Sequence, residues 1–230
     1  MNLAAGTSPW DLFGYFADHR AAVLDLFWEH VWLSVIPVVL GLAISLPLGY
    51  LARRSRWVYA PAVSVTGLLY TIPSLALFLI MPTLLGTRIL NPVNVVAALT
   101  VYTVALLVRV VADGLGAVPD DVAQSATAMG LTRTQRLRRV ELPLAVPVIA
   151  AGLRVATVAN VSLVAIAGTI GIPELGQLFI TGFQLSVNGP YYPPILLGIL
   201  LCVLLALALD VLIVLGARLL TPWQRVTAAR

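Results

Sequence analysis

Long apolar runs alternate with short polar stretches along the 230 residues, and the lengths of those runs predict the elements. Crossing the hydrocarbon of a bilayer as a helix takes about 20 apolar residues. Five runs reach that length: 31–52, a charge-free stretch within 57–86, 92–112 with Arg109 near its end, 143–170 with Arg154 inside, and 194–217 with Asp210 inside. The second run is too long for one straight crossing. The pattern therefore predicts an all-α, polytopic membrane protein with about five transmembrane helices. It divides into an N-terminal segment (1–29), a membrane domain (30–218) and a short tail (219–230). No internal repeat is visible.

Composition agrees with the runs: 60% of residues are hydrophobic and only 10% charged, where a soluble domain carries about 25% charged residues. All fourteen basic residues are arginine. Their placement predicts orientation, because arginines accumulate on the inner side of a membrane. With the N-terminus outside, eleven arginines fall on inner loops and flanks and two, Arg20 and Arg88, on outer segments. The expectation is N-out and C-in. The segment before the first span carries Asp11, Asp18, Asp25 and Glu29 among Trp10, Phe13, Phe16 and Leu24, the pattern of a helix lying along the outer interface. No cleavable signal peptide is expected, since no basic stretch precedes an apolar core. Cys202 is the single cysteine, so no intrachain disulfide is possible.

Between the third and fourth runs the period changes. Residues 118–142 hold four arginines within seven positions: Arg133, Arg136, Arg138 and Arg139. Asp121 with Gln124 three residues later resembles a capping box, and Thr132 with Gln135 repeats it. Val122, Ala126 and Met129 share one helical face, with small neighbours at Ala123, Ser125 and Ala128. Gly130 suits the left-handed position that closes a helix. Two short helices joined at Gly130 are predicted, the second ended by Leu142-Pro143. A loop of arginines facing anionic headgroups accounts for the charge but not for the tandem caps. A DNA-reading helix–turn–helix lacks a supporting core. A docking element that passes force from a cytoplasmic partner into the spans fits best.

Gln124-Ser125-Ala126, Gly130 and Val140-x-Leu142-Pro143 resemble the EAA loop of ATP-binding-cassette importer permeases, with the same spacing throughout. Gln124 stands for the family's Glu and Ser125 for its Ala. The stretches 67–78, 101–115, 145–171 and 191–200 resemble the osmoprotectant subgroup, which carries glycine betaine, carnitine, choline or proline-type solutes. The resemblance implies that this loop is a cytoplasmic coupling helix, gripped by an ATPase subunit through Asp121, Gln124, Ser125, Ala126, Met129, Gly130, Leu131 and Thr132. It also implies a second permease chain, identical or different, and an extracytoplasmic solute-binding protein. The setting is the cell membrane, with lipid around the spans and no nucleic acid.

The chain has no lysine and no GxxxxGK[ST] motif, so it cannot supply the lysine of a phosphate-binding loop. No catalytic residue, metal site or cofactor is expected in it; ATP would sit on a partner. Candidate path-lining groups are Thr71, Pro73 and Ser74, where proline kinks the second span, then Tyr102 and Thr103 in the third and Asn160 and Ser162 in the fourth. Arg154 and Asp210 are costly inside a bilayer, so both should face protein or water, and a pairing as a structural brace is expected. Alternatives are import of another small solute such as an amino acid, a secondary transporter driven by an ion gradient, or a membrane scaffold without transport. The second normally shows repeated halves and discontinuous spans.

Overall fold

Helix follows helix wherever the apolar runs stand, and proline, glycine and buried charge decide where each one stops. A computed structural model describes residues 10–54 and 56–223. Among them are nine α-helices, two short 3-10 segments, one π turn and no strand. Four helices are long and apolar enough to cross a membrane, or five spans if the bent α2–α3 pair is counted as one.

α1, Leu12–Arg53, has 42 residues. At 1.5 Å per residue it is about 63 Å long, twice the roughly 30 Å hydrocarbon thickness. It joins the expected interfacial stretch and the first span without a break near residue 30. The backbone leaves helical geometry only at His19, with φ −118° and ψ 15°. There the ring Nδ1 donates to the Tyr15 carbonyl at 3.0 Å. The start of the N-terminal segment (1–9) and most of the tail (224–230) lie outside the described residues.

The second run is broken at its proline: it forms α2, Arg56–Thr71, and α3, Ser74–Leu85, with Ile72 and Pro73 non-helical between them. Proline has no N–H to continue the ladder and crowds the preceding turn, so the helix restarts. The hydroxyl of Tyr102 donates to the freed Ile72 carbonyl.

α4 is Pro92–Gly116, α5 Asp120–Ala128, α6 Arg133–Arg136, α7 Leu142–Val164, α8 Gly176–Leu185 and α9 Pro193–Leu220. α8 was not legible in the pattern: at 10 residues it is half the length of a span.

The chain packs as two units, residues 10–37, 73–99 and 159–208 in the first and 38–72, 100–158 and 209–223 in the second. The first is built around Tyr15, Val23, Leu175, Leu178 and Leu197, with Phe16, Phe27, Tyr191 and Cys202 against them. The second is built around Val111, Leu115, Ala145 and Ile149, with Leu42, Leu46, Tyr50, Leu137 and Leu142 packed on them. α4 has 56% of its apolar window buried, against 17% for α9. α4 is thus an inner helix, and α9 leaves most of its surface for other covering.

Candidate functional site

The polar stretch between α4 and α7 is the most locally specified part of the chain. The N-cap of α5 lies two residues earlier than expected. Pro119, with φ −59°, occupies the N-cap and no side chain caps the helix. The Asp121–Gln124 box therefore does not form: proline puts both Asp120 and Asp121 in the first turn, where their charges favour the helix dipole instead. The far end behaves as predicted. Gly130 has φ +83°, the Leu131 N–H donates to the Ala126 carbonyl at 3.2 Å and the Gly130 N–H to the Thr127 carbonyl at 2.9 Å. This pair of bonds is a Schellman closure, and glycine takes its left-handed position without a Cβ penalty.

Thr132 and Gln135 form the second box. The Thr132 N–H donates to Gln135 Oε1 at 2.9 Å and the Gln135 N–H to Thr132 Oγ1 at 3.4 Å. Leu142-Pro143 does not end this helix. The backbone widens into a π turn over Leu137–Glu141, in which the Leu142 N–H reaches the Leu137 carbonyl, and continues as α7. A widened turn moves the carbonyl that the proline ring would strike. From Arg133 onward the docking segment and the next span are one continuous helix.

The expected apolar face of α5 is divided. Ala126 is 1% exposed and Val122 half-buried, while Met129 is 72% exposed. Asp121, Gln124, Ser125, Gly130 and Thr132 are also exposed, and Leu131 is half-buried. α5 thus presents a small-residue surface with one projecting methionine.

Beneath it lies a carboxylate that pattern reading passed over. Glu141 is 2% exposed. Arg53 donates from Nη1 to its Oε2 at 2.5 Å, and Arg136 from Nε to its Oε1 at 2.7 Å. Arg136 also donates from Nη1 to Thr127 Oγ1 at 2.9 Å. The carboxylate joins the end of α1 and the π turn, and through Arg136 reaches α5. Arg53, Arg136, Asp120, Gln124 and Thr127 line an open pocket of about 430 Å³ there. The available signal was that Glu141 is the only acid between Asp121 and Glu174 and follows four arginines.

Arg154 and Asp210 form a bidentate pair, Nε to Oδ1 at 2.6 Å and Nη2 to Oδ2 at 2.9 Å. The other span candidates separate by burial. Tyr102, Thr103 and Asn160 are buried, and so is Ser74. Thr71, Pro73 and Ser162 are exposed. The Thr71 hydroxyl donates to the Leu68 carbonyl at 2.7 Å, the usual use of a lone hydroxyl in a helix.

A second buried pair was also missed. His30 and Glu174 are both fully buried. His30 Nδ1 lies 2.8 Å from Glu174 Oε2, and its Nε2 donates to the Val161 carbonyl at 3.1 Å. Glu174 Oε2 also accepts the Gly176 N–H at 2.7 Å, while Oε1 has no partner. Tyr192 lies 5.0 Å from the Trp10 ring and Tyr191 6.4 Å edge-on from Tyr15. Burial and the nearby Asp11 and Asp18 carboxylates push the Tyr191 phenol above its ordinary value.

The model of the family described as binding-protein-dependent transport system inner membrane component matches residues 41–222. The chain belongs to that family. The match takes in the docking segment, the Glu141 network and the Arg154–Asp210 pair. The chain is similar to the osmoprotectant import permease protein OsmW of Salmonella typhimurium, 36% identical over 203 residues, covering 87% of this chain and 92% of that protein. It is also similar to the glycine betaine/carnitine/choline transport system permease protein OpuCD of Bacillus subtilis, 33% identical over 215 residues, covering 92% and 90%. A chain of the inward-facing MetNI methionine ABC transporter shares the fold at TM-score 0.77 and 22% identity, covering 89% of this chain and 98% of that one. A member of this family is an inner-membrane transport subunit and not an enzyme. Membership implies an ATPase, a solute-binding protein and a permease pair as partners.

Proposed function

We propose that this chain is the permease subunit of an ATP-driven importer for quaternary-amine osmoprotectants such as glycine betaine, carnitine or choline. ATP is bound and hydrolysed on a separate subunit, and the permease itself carries no cofactor. The observation that carries the coupling role is the short, fully bonded path from α5 to α7. α5 closes on Gly130, a second helix starts at the Thr132 box, and that helix runs through the π turn into α7 without a break. A push on the exposed face at Gln124, Ser125 and Met129 passes the Gly130 closure and then reaches α7 along this continuous helix. It also reaches the end of α1 through Glu141, whose two arginines hold it from different helices.

The solute class follows from the relatives, whose names specify osmoprotectant, glycine betaine, carnitine and choline transport. The segment lies on the cytoplasmic side if the arginine bias sets orientation, which puts the N-terminus outside, where a solute-binding protein docks. In this cycle, ATP binding draws the docking segments of two permease chains together and opens the path outward, and hydrolysis resets it.

The test is uptake of radiolabelled glycine betaine, carnitine and choline into proteoliposomes holding the permease with its cognate ATPase and binding protein. Uptake that requires ATP and persists with a protonophore is expected, and Gly130→Arg should abolish it while the protein stays in the membrane. Uptake that survives ATP removal and collapses with the protonophore would favour an ion-gradient transporter and overturn the reading.

A further inference from the structure

α4 is enclosed along most of its length, and it opens at two charges. Among the described residues of α4 between Asn94 and Leu115, only Arg109 and Asp113 are exposed, and they stand one turn apart. Their side chains are 64% and 47% exposed, with Arg109 Nε 3.5 Å from Asp113 Oδ2. From α2 the Tyr59 hydroxyl donates to the other carboxylate oxygen, Oδ1, at 2.6 Å. Glu141 and Asp210 each accept a guanidinium N–H on both oxygens. Here the guanidinium makes one loose contact, which leaves both charges able to take a further partner. Arg109 is seven residues from the end of α4, about 10 Å inside it at 1.5 Å per residue. Charged groups at that depth face water or protein and not lipid tails.

The surroundings favour water. A partner helix packed on the cluster would bury two charges that hold each other by a single contact, which is costly. The exposed surface of α2 is divided lengthwise. Ala60, Ser64, Gly67 and Thr71 recur every three or four residues as one stripe of small and hydroxyl-bearing residues. Trp57, Val65 and Leu68, 91%, 54% and 69% exposed, form the neighbouring stripe with Pro61 and suit lipid. The small stripe starts beside Tyr59 and runs to the break at Ile72 and Pro73. The end of α4 that carries Asp113 leads into the docking segment, so the cluster lies at the inner end of this stripe.

We propose that Tyr59, Asp113 and Arg109 form a solute subsite at the inner mouth of the path. A trimethylammonium head has no N–H to donate, so an aromatic face and a carboxylate are what hold it. Tyr59 and Asp113 supply both within one hydrogen bond of each other. Glycine betaine and carnitine also carry a carboxylate, which Arg109 receives; choline has none. One ring and one exposed carboxylate hold the cation weakly, and a passage must release what it holds. The inference rests on the osmoprotectant-importer reading and names the residues that tell its solutes apart.

The test uses the permease with its ATPase and binding protein in inverted membrane vesicles. The permease carries Cys202→Ala and one new cysteine, at Ala60 on the small stripe or at Val65 on the apolar one. A thiol reagent bearing a trimethylammonium group should label A60C and leave V65C at background, read on the permease band. Choline and glycine betaine should each slow the A60C reaction. Tyr59→Leu should raise the choline concentration needed for half-protection about fivefold. Asp113→Asn should raise it about tenfold for both solutes, and Arg109→Gln about tenfold for glycine betaine relative to choline. Equal labelling of V65C, or an Arg109→Gln effect the same for both solutes, overturns the assignment. Separate uptake measurements in proteoliposomes distinguish the two readings. ATP-driven uptake without protection of A60C overturns the subsite alone, and absence of ATP-driven uptake of glycine betaine, carnitine and choline overturns the transport reading and this one with it.

Discussion

The docking segment, residues 120–141, and the turn at 165–176 both carry the chain between helices, and they are held by opposite means. The first is polar and locally written. Its closure, box and π turn join residues within about five positions of one another, and one carboxylate ties the finished piece to α1. The second closes on glycines and is fixed by fit. A Cβ on Gly176 would strike the Ala165 carbonyl, and one on Gly168 would meet Glu174 Oε1. Glu141 has an arginine on each oxygen, whereas Glu174 has a histidine and a backbone N–H on one oxygen and nothing on the other. A segment with its own closures can move as a body. A turn held by packing holds its shape only while its neighbours stay in place.

Stability measurements in detergent can break this contrast. The largest effect is expected at Gly176→Ala, about 3 kcal/mol, because backbone atoms cannot yield to the added methyl. Glu141→Ala should follow at about 2–3 kcal/mol; two arginines lose their counter-charge, and the loss is tempered because water reaches both. Glu174→Ala should cost less, about 1–2 kcal/mol, since two hydrogen bonds, from His30 Nδ1 and the Gly176 N–H, are lost and a carboxylate oxygen without a partner goes with them. If denaturant titration ranks Glu174 above Glu141, the greater weight assigned here to the doubly paired carboxylate is wrong.

Smaller substitutions sharpen the point within the docking segment. Thr132→Ala removes a formed capping box and should cost about 1 kcal/mol. Asp121→Ala removes only a charge near a helix start and should cost less than about 0.5 kcal/mol. The two pairs of residues read alike in sequence, so equal losses on thermal unfolding would mean that Asp121 caps α5 after all.

The difference between those two boxes also shows how far pattern reading went. Both have an acceptor followed three residues later by glutamine. At Thr132 the preceding residue is Leu131, which leaves threonine free to serve as the cap. At Asp121 the preceding Pro119-Asp120 lets proline take the cap position first. The same blind spot applies to Pro143: proline after leucine reads as a stop, yet a π turn absorbs it. At Pro73, with no such widening, the helix does break. The Arg154–Asp210 pairing was foreseeable because two lone charges in apolar runs need each other. Glu141 was hidden among arginines that orientation already explained, and His30 and Glu174 stand 144 positions apart with no local signal.

The sequence alone determined that the chain is a bundle of membrane helices, that it cannot bind nucleotide through a Walker lysine, and where its docking segment turns. These follow from run length, residue type and bonds between near neighbours, which are properties of the chain itself. Only the tertiary structure decided which carboxylates are buried, which arginines hold them, and which charges of α4 stay uncovered. Those depend on residues brought together from distant positions, and neither hydropathy nor spacing carries that information.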